Sequence, residues 1–350
     1  MISPQSRTKN WILGIREQAS RKDPILIEKM IMALTLAENL KLAGLDFTFK
    51  GGTAMLLLLQ TPKRFSIDID IVTKSLIDID LYLKNVLNQG VFTYYTENLR
   101  PGSLPKQHFK FYFESVIQQK ESYVLLDILY EENLYPELIP VKIQSPIILL
   151  DGHATTVFCP TREDLIGDKL TAFAPHTTGI PYKAGKELEI AKQLFDIASL
   201  FDQIERLQAV KDSFETIAQK ELKYRAAVNI TTDDVLWDAF NTSILVGLRQ
   251  ESSGEFLELS QGIKKLSAYL YIGYFSIDTA ILCASKTAYL CSLLLTNLTV
   301  IDRFQKKITN LDEEIQAPPY QKLNKLKKTN PEAFYYFHQA LSLLDLSKRK

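Results

Sequence analysis

"FKGGTAMLLLLQTPKRFSIDIDIV", residues 49 to 72, decides how the chain is read. Its last part alternates, so that on a β-strand Phe65, Ile67, Ile69 and Ile71 point to one face while Ser66, Asp68, Asp70 and Val72 point to the other. One face is core; the other carries two carboxylates. Like charges held that close cost free energy unless something positive sits between them, and a divalent cation is the usual remedy. The same spelling returns as Asp78 and Asp80 in "SLIDIDLYLKNVLNQ", but there Leu81, Leu83, Val86 and Leu87 follow at helical spacing. That copy is assigned to the first turn of a helix, where the dipole favours acids.

Just upstream, "GLDFTFKGG" reads as a strand that stops at a glycine pair, and "TAMLLLLQ" as a buried helix entered from it and ended by Pro62. Gly51, Gly52 and Thr53 then sit where a phosphate can approach the backbone at a helix N-terminus. A plain tight turn uses the same residues. Downstream, Asp127 in "YVLLDILY" is a lone acid in an apolar strand and needs a partner. If its strand lies beside Asp68 and Asp70, three carboxylates could hold two Mg²⁺ or Mn²⁺ ions. At a strand edge it would instead accept a backbone hydrogen bond.

The 350 residues are 46% hydrophobic, enough for two domains with a substantial core. Lys plus Arg and Asp plus Glu both number 41, so no global field announces a nucleic acid or an anionic membrane. Cys159, Cys283 and Cys291 form no CxxC pair, which argues against a disulfide framework or a zinc knuckle. With no apolar leader near the start, and "LLLTNLTVI" too short for a bilayer, the expectation is a cytoplasmic protein without a membrane partner. A helix is expected from Pro24 to about Leu42, and strands at 65–72, 108–116, 122–130 and within "VKIQSPIILL". After Thr161, which with Asp164 makes a capping-box-like start, the pattern is helical almost to the end. This order predicts an α+β chain: a mixed-sheet core over 1–155 and a helical domain over 156–350 that completes an active-site cleft.

"KGGTAMLLLLQTPKRFSIDIDIV" resembles the AbiEii-type nucleotidyltransferase toxins of the polymerase-β-like superfamily, in its K-G-G-T opening and in the R-F-S run before the paired acids. The resemblance covers residues 25 to 205. It implies a metal-dependent transfer of a nucleoside monophosphate from an NTP to an acceptor hydroxyl, with Asp68, Asp70 and Asp127 as catalytic metal ligands. It also implies that Lys50, Gly51, Gly52, Thr53, Arg64 and Ser66 serve the nucleotide. "REDLIGDKLTAF" resembles the family helix that sends a lysine, here Lys169, towards the phosphates; a solvated helix lysine is the other reading. "EIAKQLFDIASL" resembles the family's R-x-K-D motif but has Ile190 for its arginine and Gln193 for its aspartate. Lys192 remains a binding candidate there, with Asp196 able to orient it by an i, i+4 pair.

A toxin-antitoxin or phage-defence role is further implied, with a cognate antitoxin and with RNA, tRNA among it, as acceptor. Residues 302–350 carry ten Lys or Arg against six Asp or Glu, with Tyr320, Tyr335 and Tyr336 interleaved, a pattern that suits a nucleic-acid track or a solvated tail. His108 and His176 lie far from any metal-ligand spacing and read as surface or hydrogen-bonded imidazoles. The rival readings are a descendant that only binds nucleotide, and a transferase acting on a protein or small molecule.

Overall fold

The computed structural model describes residues 1–59, 61–74, 78–99, 105–307, 309 and 311–346. The chain forms two compact units, Met1–Thr161 with Ala268–Gly273, and Arg162–Ser267 with Tyr274–Lys350. In the first unit seven strands among the described residues make one sheet: β1 Thr48–Lys50, β2 Asp68–Thr73, β3 Tyr94–Glu97, β4 Lys106–Ser115, β5 Lys120–Tyr130, β6 Leu138–Lys142 and β7 Thr156–Pro160. Their order is β3-β4-β5-β2-β1-β7-β6. β2 runs parallel to β5 and β1 parallel to β7, while the remaining neighbours are antiparallel, so the sheet is mixed as expected. The helices of this unit are α1 Lys9–Gln18, α2 Pro24–Leu42, α3 Gly51–Leu58 and α4 Ile79–Leu87.

The alternation in the sequence explains the layering. Ile69, Ile71, Phe109, Phe111, Phe113, Val124, Leu126 and Ile128 are all buried on one face, and α2 packs on β2 and β5. Asp23 starts α2 by accepting a hydrogen bond from the Ile25 amide, and Pro24 occupies the first turn, where its missing N–H costs nothing. The decoy acids fall as expected at a helix start: Asp78 precedes α4 and Asp80 lies in its first turn, accepting from the Tyr95 hydroxyl at 3.1 Å.

Several expectations shift. The acid strand begins at Asp68 rather than Phe65, because Lys63 to Phe65 pair with a segment from far downstream. The Phe65 amide donates to the Tyr269 carbonyl at 2.7 Å, and the Tyr271 amide to the Lys63 carbonyl at 3.1 Å. β3, with the sequence YYTE, has no apolar alternation to betray it. Only the start of "VKIQSPIILL" is strand; Ile143 and Ile147 are buried from an irregular segment. β7 carries the sheet past residue 155.

The second unit is helical, with α5 Arg162–Ala172, α6 Glu187–Phe201, α7 Leu207–Tyr224, α8 Thr232–Gly247, α9 Gly254–Leu266, α10 Ile277–Leu295, α11 Leu326–Thr329 and α12 Pro331–Leu343. Among the described residues only α10 is long and apolar enough to cross a membrane, and 78% of it is buried here, against α8 and α12 among others, as a core helix. All three cysteines are buried and free. Two of the three tyrosines in the supposed basic track lie in the core. Tyr335 and Tyr336, at 5% and 2% exposure, are core residues of α12 and pack edge to face with each other, with Phe201 beside Tyr336. Lys348, Arg349 and Lys350 lie outside the described residues.

Close backbone contact fixes how α9 crosses α6. A Cβ on Gly262 would collide with the carbonyl oxygen of Glu187. Overpacking of this kind costs about 1–3 kcal/mol, against a helix-propensity gain for alanine of about 1 kcal/mol. Gly262→Ala is therefore expected to lower the melting temperature, and a scanning calorimetry trace that shows a rise would contradict this packing.

Candidate active site

Strand register assembles the site. On adjacent strands Lys50 lies opposite Asp70, Asp70 beside Asp127, and Asp127 opposite His108, so four chemically active side chains form one row across β1, β2, β5 and β4. They share the face that the apolar residues of these strands leave. Asp68 stands two positions before Asp70 on this face, level with Leu125 and Lys110. The structure thus brings the three predicted carboxylates together, and all three are half-buried.

His108, read from sequence as a surface or hydrogen-bonded imidazole, is hydrogen-bonded within this row. Its Nδ1 lies 2.8 Å from Asp127 Oδ1, with the two side chains 15% and 28% exposed. An ionised carboxylate only accepts, so Nδ1 carries the proton and donates. The signal was present: counting outward along the hairpin from the pairing of Ser115 with Lys120 sets His108 opposite Asp127. Lys29, on α2, also belongs here. Burial lowers its ammonium pKa, while the charges of Asp68 and Glu28 pull the other way.

The glycine turn is tied to the same row. Gly51 has φ +75°, and a Cβ on it would collide with the Asp70 carboxylate, so the backbone passes that acid only without a side chain. A Cβ on Gly52 would lie 2.6 Å from Ser66 Oγ and 2.7 Å from an Arg64 guanidinium nitrogen. Gly52, Arg64 and Ser66 are therefore neighbours. Arg64 is buried and also donates to the Phe65 carbonyl at 3.0 Å. Lys50 directs its ammonium over the ring of Tyr135, 5.5 Å from the centroid. The Thr53 side chain is fully buried, and its hydroxyl donates to the Asp68 carbonyl at 2.5 Å, with Ser66 Oγ 2.9 Å away. It braces α3 against β2 beneath the turn.

With the row and the turn described, comparison with known proteins becomes informative. The model of the nucleotidyl transferase AbiEii toxin family, of type IV toxin-antitoxin systems, matches residues 35–259. The chain belongs to this family. It is a nucleotidyltransferase of the toxin type. Among solved structures it is similar to JHP933 from Helicobacter pylori, at 16% identity and a TM-score of 0.44 over 85% of this chain and 96% of that one. It is also similar to MenT4, a nucleotidyltransferase toxin from Mycobacterium tuberculosis, at 12% identity and a TM-score of 0.43 over 96% and 98% of the two chains. A search among curated proteins found no match.

The lysines that the AbiEii resemblance singled out later in the chain sit in the second unit. Lys169, on α5, is not a solvated lysine: its side chain is 7% exposed, its ammonium lies 2.8 Å from Asp196 Oδ2, and it donates to Gln193 Oε1 at 3.2 Å. Asp196 is 2% exposed. Lys192 forms an ion pair with Glu189 at 2.9 Å. The altered motif therefore supplies both partners of Lys169, with Gln193 standing where the family has an aspartate and Asp196 one turn on.

Breaking such a buried pair strands a charge and costs about 3–5 kcal/mol, whereas replacing both partners by apolar groups is close to neutral. Asp196→Leu alone should unfold at markedly lower urea concentration than the wild type, and the double variant Lys169→Met, Asp196→Leu should recover most of the loss. A double variant no better than the single one would show that the pair is not the main contribution.

Proposed function

We propose that this AbiEii-family enzyme moves a nucleoside monophosphate from an NTP to an acceptor hydroxyl with two divalent cations, Mg²⁺ or Mn²⁺, held by Asp68, Asp70 and Asp127; that the acceptor is RNA, tRNA being one candidate; and that a cognate antitoxin restrains it in a toxin-antitoxin or phage-defence setting. The observation that carries the reading is the alignment of Asp70 with Asp127 on parallel strands, with Asp68 two positions away on the same face. Among the described residues no three acidic, histidine or cysteine side chains make a ready cage for a metal. The donor set fits Mg²⁺, which is bound through one or two carboxylates and keeps waters and substrate phosphate oxygens in its shell.

The chain's own residues divide the work. The N-terminal amides of α3, which begins at Gly51, would take phosphate oxygens, with Arg64 beside Gly52 adding positive charge. Asp127 would take the proton of the acceptor hydroxyl as its oxygen bonds to the α-phosphorus and the bond to the β-phosphate oxygen breaks, releasing pyrophosphate. His108 holds the Asp127 carboxylate in one orientation. When bound, the cations would lower the acceptor hydroxyl's pKa and neutralise the triphosphate.

Incubation with radiolabelled NTPs, Mg²⁺ and total RNA should label RNA. Label appearing only on protein or on a small molecule would replace the acceptor. Asp68→Asn and Asp70→Asn are expected to abolish transfer in a folded protein, and chelation to do the same; Asp78→Asn should leave the rate unchanged. Because loss of a partner to a ligating carboxylate costs roughly 10–100-fold, His108→Leu should lower kcat by about that factor at constant KM for NTP. His108→Asn, which keeps a donor, should recover part of it. A His108→Leu enzyme with wild-type kcat would remove His108 from the site.

A further inference from the structure

We propose that the sheet face beside Asp127 is a stacking platform for a single-stranded RNA acceptor, built from Tyr94, Tyr112 and Tyr123 with Lys110 and Lys29. This rests on the RNA-acceptor reading above and assigns it a surface. Tyr94 on β3 pairs in register with Tyr112 on β4, which pairs with Tyr123 on β5. By strand alternation all three share the face of His108 and Asp127. The rings of Tyr94 and Tyr112 are stacked, with centroids 4.4 Å apart and planes 12° apart, and Tyr123 continues the ladder at 5.7 Å from Tyr112.

Three features separate this ladder from ordinary cross-strand packing. It is open, with Tyr94 40% and Tyr123 36% exposed, whereas the apolar rings on the opposite face of β4 are buried. It is cationic on one side: Lys29 and Lys110 hold their ammonium groups 4.6 and 5.0 Å from the Tyr123 centroid. Of the acids on this face, Glu114 and Glu121 stand on the side away from Asp127, where Glu121 accepts the Tyr94 hydroxyl at 2.8 Å, and Asp68 stands level with Lys110 on the other. Aromatic rings for bases with lysines for the intervening phosphates are the means by which proteins hold single strands without reading sequence.

The ladder is also on the correct side for the reaction. In-line displacement requires the acceptor oxygen to approach opposite the leaving pyrophosphate. The glycine turn, where the phosphates would lie, is on the β1 side of Asp70; Asp127, then β4 and β3, extend from the other side. Tyr123 precedes Asp127 by four residues, roughly 13 Å along the strand. A strand whose terminal ribose reaches Asp127 would thus lay its preceding bases on the tyrosines.

The test uses a fluorescent single-stranded oligoribonucleotide, for binding by anisotropy and as acceptor of a labelled nucleotide. Tyr112→Leu and Tyr123→Leu should each raise the oligonucleotide concentration for half-maximal transfer by about tenfold and leave KM for NTP unchanged, which also reports an intact fold. Tyr112→Phe and Tyr123→Phe, which keep the ring, should behave as wild type. Lys110→Gln should flatten the fall of affinity with salt. If wild-type enzyme labels the oligonucleotide and the leucine variants do so at unchanged concentration, the platform is refuted while the RNA reading stands. If wild-type enzyme labels other acceptors but no RNA, the RNA reading itself fails and takes the platform with it.

Discussion

The parallel pairing of β2 with β5 is the constraint from which the site follows. It sets Asp70 beside Asp127, at a spacing of neighbouring strands where two unit charges repel by roughly 3 kcal/mol at an effective dielectric of 20. The opposite faces of the same two strands bury Ile69, Ile71, Leu126 and Ile128, each contributing roughly 1.5–3 kcal/mol. Burial wins, so the register holds whether or not a cation is present. A slip by one residue would exchange the faces and drive the carboxylates into the core. The repulsion is thus not an accident of folding but a standing demand for positive charge, met in part by Lys50 and the His108 donor on the flanking strands.

A second constraint acts at right angles to the first. β1 runs antiparallel to β2, so the chain must leave β1 directly beside Asp70, and a side chain on Gly51 would collide with that acid. Thr53 fastens the following helix to the backbone of Asp68, and Arg64 lies against Gly52. Arg64 is fixed in turn by the far-downstream segment that pairs with Lys63 and Phe65. The phosphate turn and the carboxylate strand are therefore one braced object, and the brace comes from residues that local sequence could not associate with either.

Which parts were legible follows from range. Strand alternation gave the acid face of β2 and the separation of Asp68 and Asp70 from the helical copy at Asp78 and Asp80, because both signals are local. Asp127 was legible as an expensive lone acid, though its partner strand was a conditional. What escaped depended on pairing between distant segments: the strand start at Asp68, shortened by residues 269–271, and β3, whose polar residues pair at a sheet edge. Lys169 and Asp196 escaped for the same reason, since neighbouring helices α5 and α6 had to pack before their charges met. Tyr335 and Tyr336 misled because interleaved charges made a core helix face look like a surface.

The charge balance bears on how a polyanion could be chosen. A chain with 41 cationic and 41 anionic side chains exerts little pull at a distance, and beyond a Debye length of about 8 Å at physiological salt even local charges are screened. Selection must then happen at contact. The open tyrosines would provide contact that every base satisfies, with Lys29 and Lys110 at Tyr123, and with Glu114 and Glu121 flanking the ladder on the side away from Asp127. That arrangement favours a strand whose phosphates lie by the lysines and away from the outer acids. The platform would accordingly fix the direction in which an acceptor lies more firmly than its sequence, so that discrimination among RNAs falls to the accessibility of a single-stranded end rather than to the bases within it.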